Sequence, residues 1–222
     1  GEGVAERPFD ASTFNVFPEE WLAAAPGLRV TSALIRIEVA EGDDGIIEKA
    51  RKWFVPESLA ISRVIENDLV VAGDFRIDHG GHMRFAVFAR PHVGNRRVGR
   101  VMQRLCEVET YKAMSMLGLS RARELGPKMG EFDMRLTSLL EDMRSTTADP
   151  AIVLQSLLEV SAEIENTIAQ SSFRFGATEA YEKIVNQRIG GLREERFEGR
   201  QTFGEFMMRR FDPAMRTVKS TE

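Results

Sequence analysis

Arg97, Arg100 and Arg104 recur at spacings of three and four residues, in a stretch that opens Gly94-Asn95-Arg96-Arg97-Val98-Gly99-Arg100-Val101. That spacing puts three guanidinium groups on one face of a helix. Near a helix N-terminus they also oppose the macrodipole, so they need an anionic partner or open solvent. A carboxylate cluster elsewhere in the fold is the simpler partner; a bound phosphate or lipid headgroup is the sharper one. The same stretch has the glycine spacing of a phosphate-binding P-loop. However, Arg100 stands where that loop needs Lys, and Val101 where it needs the Ser or Thr that holds magnesium. Nucleotide hydrolysis is therefore disfavoured.

Other chemistry finds less support. Asp78-His79-Gly80-Gly81-His82 carries two of the three histidines, and His92 the third. A strand of about eight residues separates His82 from His92, roughly 26 Å at about 3.3 Å per residue, so one metal site cannot easily hold all three. No metal and no cofactor is expected. Glu159 and Glu163 share a helix face, but no histidine accompanies them as a di-iron bundle requires. No Gly-x-Ser-x-Gly elbow is present, and Cys106 reads as a small hydrophobe on a helix flank. No catalytic residue is assigned.

The run from Arg188 to Arg216, RIGGLREERFEGRQTFGEFMMRRFDPAMR, mixes arginine and glutamate with glycine, phenylalanine and methionine. Thr202-Phe203-Gly204-Glu205 is a capping-box pattern that opens a helix. Phe203, Met207 and Phe211 form its apolar stripe, and Glu205 precedes Arg209 by the favourable four residues. Gly199 predicts a break between Arg196 and Arg200. Together, Arg193, Glu194, Arg196, Arg200, Glu205 and Arg209 read as an ion-pair clasp that ties the last helix to its neighbours.

These residues need a scaffold, and the period of the sequence supplies one. Leu28 to Val39, Leu59 to Ile65, Leu69 to Ile77 and Met83 to Ala89 read as strands, with a helix between Gly45 and Phe54. Residues 1–27 read as irregular, with a short helix in FPEEWLAAAPG. Beyond Arg90–Pro91 the period becomes helical. One stretch runs to about Leu125 and ends at Gly126–Pro127, and a second carries Met129, Phe132, Leu136, Leu139 and Met143. A third starts at Asp149–Pro150 with Val153, Leu157, Val160, Ile164 and Ile168 on its face. A fourth begins near Thr178 and a fifth at Thr202, and Asp212–Pro213 reads as a further helix start. The fold class is α+β: a small α/β domain over 1–92 with a three- or four-stranded, largely antiparallel sheet, then a mainly helical region over 93–222 of about five helices.

Composition sets the outer bounds. The 222 residues carry a formal charge of −4 with acids and bases spread over both halves, so no nucleic-acid partner is expected. The single cysteine excludes an intrachain disulfide. No stretch is long and apolar enough for a transmembrane helix. Gly1 reads as a tag scar, and the C-terminus reads as a cut inside a helix.

The stretches GRVMQRLCEVETYKAMSMLGLSRAREL and FGATEAYEKIVNQRIGGLREERFEGRQTFGEFMMRRFDPAMRT resemble an uncharacterised bacterial family of predicted membrane-anchored proteins, a domain of unknown function. The resemblance covers nearly the whole chain. It implies further N-terminal residues, later membrane-spanning segments and a place on the cytoplasmic side of the bacterial inner membrane, with this chain alone soluble. That layout is similar to CorA-type magnesium channels by analogy only. The first reading is a non-enzymatic cytoplasmic domain that self-associates as a homo-oligomer and supports or gates a membrane part. In this reading the membrane partner acts through segments outside this chain. The alternatives are a regulatory domain of a CorA-like divalent-cation transporter, and an enzyme or binder of a phosphorylated or lipid-headgroup ligand at Arg97, Arg100 and Arg104.

Overall fold

The computed structural model describes Pro8, Phe9 and residues 18–144 and 149–221. The irregular reading of the first residues and the tag scar at Gly1 lie largely outside the described residues. After the short helix α1 (Glu19–Ala24) come β1 (Ala33–Val39), α2 (Ile46–Trp53), β2 (Ala60–Val64), β3 (Leu69–Ile77) and β4 (Met83–Ala89). Three long helices follow, α3 (Asn95–Arg144), α4 (Pro150–Leu192) and α5 (Phe203–Thr221), with a two-residue strand β5 (Glu195–Arg196) between the last two. The fold is α+β, as the change of period implies.

The sheet has five strands in the order β1-β4-β3-β2-β5. β1 pairs parallel with β4, and the other pairs are antiparallel. β2, β3 and β4 fall close to where the sequence places them, while β1 starts at Ala33 rather than Leu28. The fifth is brought in from between α4 and α5, pairing Arg196 with Ser62; two residues carry no strand signal of their own. β3 and β4 lose register between Gly73 and Ile77. Phe75 there takes φ +53° and lays its ring on Phe203 and Phe206, centroids 4.5 and 5.2 Å away.

Two long helices replace shorter ones. Gly126–Pro127 does not end α3, Gly176 does not interrupt α4, and Pro213 lies inside α5. A helical proline costs about 3 kcal/mol and a glycine about 1. All four residues are exposed, so the carbonyls that lose a partner face water. The opposite faces stay continuously buried, with Leu125 and Phe132 on α3 and Phe175 and Thr178 on α4. Packing along the seam outweighs the local preference.

The chain divides into two compact units, one of residues 1–113 with 183–211, the other of 114–182 with 212–222. In the first, alternate strand residues serve both sheet faces. Ile61, Val70, Ala72, Ala86 and Phe88 join Ile46, Ala50, Phe54 and Phe197 in one core cluster. On the other face Gly73 gives Phe85 room, since a Cβ there would lie 3.1 Å from its ring, and Phe85 meets Phe203 at 5.6 Å.

In the second unit α3 and α4 run antiparallel. Gly118 meets Thr178, Arg121 bonds Ser171 at 3.3 Å, and Arg135 pairs with Glu163 at 2.7 Å. On α4 Val153 and Val160 are buried and Ile164 half-buried, but Ile168 is 59% exposed, with half-buried Thr167 and buried Ser171 continuing the seam. A 3.5-residue period reaches residue 167 after 164, which corrects the expectation for Ile168.

Candidate functional site

Arg104 of α3 and three of the clasp residues, Glu194, Arg196 and Glu205, meet in the first unit, at the end of α4 and the turn into α5. α4 stops because Gly190 and Gly191 are followed by Arg193 at φ +50°. Its last carbonyls are not left bare. The Arg104 guanidinium donates to the Gly191 carbonyl, and the Ile65 N–H donates to the Leu192 carbonyl at 3.0 Å.

The start of α5 is equally well satisfied. Thr202 Oγ1 accepts from the Glu205 N–H at 3.1 Å, and Glu205 Oε2 accepts from the Thr202 N–H at 3.0 Å, completing the capping box read from the sequence. Glu194 Oε2 accepts from the Gly204 N–H at 2.8 Å, while its Oε1 accepts from the Ser62 hydroxyl at 2.8 Å. Ser62 in turn accepts from the Phe203 N–H at 2.6 Å. A carboxylate at a helix N-terminus answers both the orphan donors and the dipole. Only glycine fits at 204, because a Cβ there would lie 2.4 Å from Glu194 Oε2. Burial pushes the Glu194 carboxyl above the usual range, against the lowering effect of its bonds to Ser62 and Gly204.

Of the six clasp residues, Glu194, Arg196 and Glu205 are bonded into this junction, Arg196 reaching Glu205 Oε1 at 2.8 Å. That bond, with the Thr202 amide, holds the Glu205 carboxyl below its usual range. Arg193 turns away to Glu66 at 3.1 Å. Arg200 and Arg209 make no ion pair among the described residues; Arg209 acts on Glu205 only through longer-range attraction.

The three α3 arginines have separate fates. Arg97 pairs with Asp68 and lies 3.6 Å from Glu66. Arg100 is exposed and has no ion-pair partner among the described residues. Arg104 covers the end of α4. Sequence reasoning missed Arg188, whose Nε donates to Glu107, Ser62 on β2, and Glu66 in the turn between β2 and β3. Arg188 belonged to the same arginine-rich run, so its signal was present. Ser62 had none.

The histidines lie apart. His82 Nδ1 is 2.7 Å from the Ser32 hydroxyl, and His92 Nε2 is 3.2 Å from Asp68. Among the described residues no three metal-ligating side chains converge. Cys106 lies on an exposed flank, where desolvation by its neighbours and then Glu107 push its thiol pKa up, disfavouring a reactive thiolate. The junction caps two helix ends, and its hydroxyl–carboxylate pair, Ser62 with Glu194, is used in the cap of α5.

The chain belongs to the family described as Protein of unknown function (DUF3422), whose model matches residues 1–222. No curated protein matches it, and no solved structure does.

Proposed function

We propose that this chain is a non-enzymatic association domain of a membrane-anchored protein, and that the α3–α4 pair of its second unit joins to the same pair of a second copy. The observation that carries this reading is an apolar edge left open beside the α3–α4 seam. Leu154, Leu158 and Ile168 on α4 are 59, 60 and 59% exposed. At about 100° per residue they fall within about 80° of arc. Met129, Leu140 and Met143 present a similar edge on α3. A groove of about 280 Å³ opens between Leu125, Met129 and Phe132 on one helix and Ile164, Ile168 and Phe175 on the other.

Exposed apolar patches of this extent mark association surfaces. Residues 212–221 of α5 pack into this unit near Glu182 and the groove, but further along α3 and α4 form a two-helix hairpin that buries one stripe of each, and two such hairpins, related by a twofold axis, close a four-helix arrangement. Membrane anchoring is supported by the family resemblance; no described helix is long and apolar enough to cross a membrane. Light scattering on the full chain tests the association. A dimer is expected, with the double substitution Leu154→Glu, Leu158→Glu giving a monomer of unchanged helical content. A strict monomer at hundreds of micromolar would sink the reading.

A further inference from the structure

We infer that the arginines gathered where the start of α3 meets the end of α4 bind a phosphoryl anion, carried on a lipid headgroup or free in solution. This goes beyond the association reading and does not depend on it.

Four guanidinium groups share this place. Arg104 lies flat over Gly191, where an added Cβ would be 3.3 Å from its Cζ. Arg100 precedes it by one turn of α3, exposed and without an ion-pair partner among the described residues. Arg188 lies three residues before Gly191 on α4, and Arg193 two residues after it. Arg97 adds a fifth at the rim. Among the described residues, the carboxylates that pair with these groups are Glu66, Asp68 and Glu107. Five cations against three anions leave a local positive excess in a chain of net charge −4. The repulsion registers on Arg104. Desolvation first, then Arg100, Arg188 and Arg193, lower its pKa, although a guanidinium stays charged at any physiological pH.

Glu66 shows how the excess is tempered without a ligand. It sits in the turn Ile65-Glu66-Asn67, three non-glycine residues in succession at φ +50°, +59° and +67°. Such residues carry local strain and persist only where their surroundings hold them. From that turn Glu66 reaches Arg193 at 3.1 Å and Arg97 at 3.6 Å, yet its side chain is 64% exposed. An exposed carboxylate of this kind can swing aside. A phosphoryl group offers more oxygens than a carboxylate and matches the planar guanidinium fork in pairs. Glu66 therefore acts as an internal competitor for the anion.

The experiment uses the whole chain at low ionic strength. Inorganic pyrophosphate is titrated calorimetrically, and flotation compares vesicles of phosphatidylcholine alone with vesicles that also contain phosphatidylglycerol. Saturable pyrophosphate binding without vesicle binding supports the site and assigns a free phosphate. Flotation only with phosphatidylglycerol supports it and assigns a headgroup. Arg100→Glu, at an exposed position, is expected to weaken whichever binding is seen by at least about tenfold. Glu66→Gln is expected to tighten it by about threefold, the opposite sign from any merely disruptive change. The proposal is overturned if neither probe binds at millimolar pyrophosphate or excess phosphatidylglycerol, if Arg100→Glu binds like the wild type, or if Glu66→Gln fails to tighten binding.

Discussion

The two compact units differ in the polar groups they bury. In the first, buried polar groups are answered by partners both near and far in sequence. Asp74, fully buried, accepts from the Val55 and Arg76 amides at 3.1 Å each and from Arg84 at 3.0 Å. Glu194 joins Ser62 to Gly204, and Glu109 accepts from Thr31 at 3.0 Å. In the second unit the buried polar residues are small hydroxyls, Ser115, Ser171 and Thr178. There the helices leave leucine, isoleucine and methionine in solvent. Both units expose some large apolar side chains, Leu28, Val39 and Ile77 among them in the first, but the first closes a network of buried charged groups, whereas the second leaves apolar rows exposed along two helices. Buried networks fix a unique arrangement, whereas an open apolar edge is useful only to something that covers it.

Four substitutions sharpen or break that contrast. The largest effect is expected for Asp74→Ala, which strands the Arg84 guanidinium and two backbone donors. A loss of about 3–5 kcal/mol is typical when one partner of a buried pair is removed. Chemical denaturation would measure it, and a loss below 1 kcal/mol would show the network to be incidental.

Next is Gly118→Ala in the second unit. The new Cβ would lie 2.1 Å from Thr178 Oγ1, on a side chain only 2% exposed. Overpacking of this kind costs about 1–3 kcal/mol, outweighing alanine's better helix propensity. An unchanged or raised melting temperature would mean that α3 and α4 are not held this closely.

Glu194→Gln tests the junction through pH. The folded carboxyl is raised above its ordinary value of 4.5, so its contribution to stability is fully present below that value and is lost as pH rises through the folded pKa. The variant should therefore show a flatter fall in melting temperature between pH 4.5 and neutrality than the wild type does. Parallel curves would remove Glu194 as the titrating group.

The smallest effect has the opposite sign. Gly130→Ala on α3 meets nothing within 4 Å. It should stabilise the protein by about 0.5–1 kcal/mol, a shift readable by calorimetry. Together with Gly118→Ala it shows whether the second unit is packed on one side only.

Much of this was written in the order of the residues. Alternation and β-rich runs gave the four N-terminal strands, three of them nearly at their observed bounds and β1 five residues too early, and helical periodicity marked most of α3, α4 and α5 while placing breaks that the fold does not have. The capping box at Thr202–Glu205 formed as its spacing implies, because each of its bonds joins residues three apart. Those are local effects, and local sequence determines them.

Tertiary structure decided what depended on distant partners. Gly126–Pro127 read as a helix end because local propensity favours one, but the seam with α4 kept α3 unbroken. Ser62 became part of the α5 cap only because the fold carries β2 to residues 141 positions away. Arg97, Arg100 and Arg104 read as one triplet, yet Asp68 and Glu66 in the β2–β3 turn claimed the first, the end of α4 claimed the third, and the middle one was left to solvent. Helical spacing fixes which side chains share a face. Which of them keep a free charge depends on what the rest of the chain brings within a few ångströms, because electrostatic and hydrogen-bond energies fall steeply with distance.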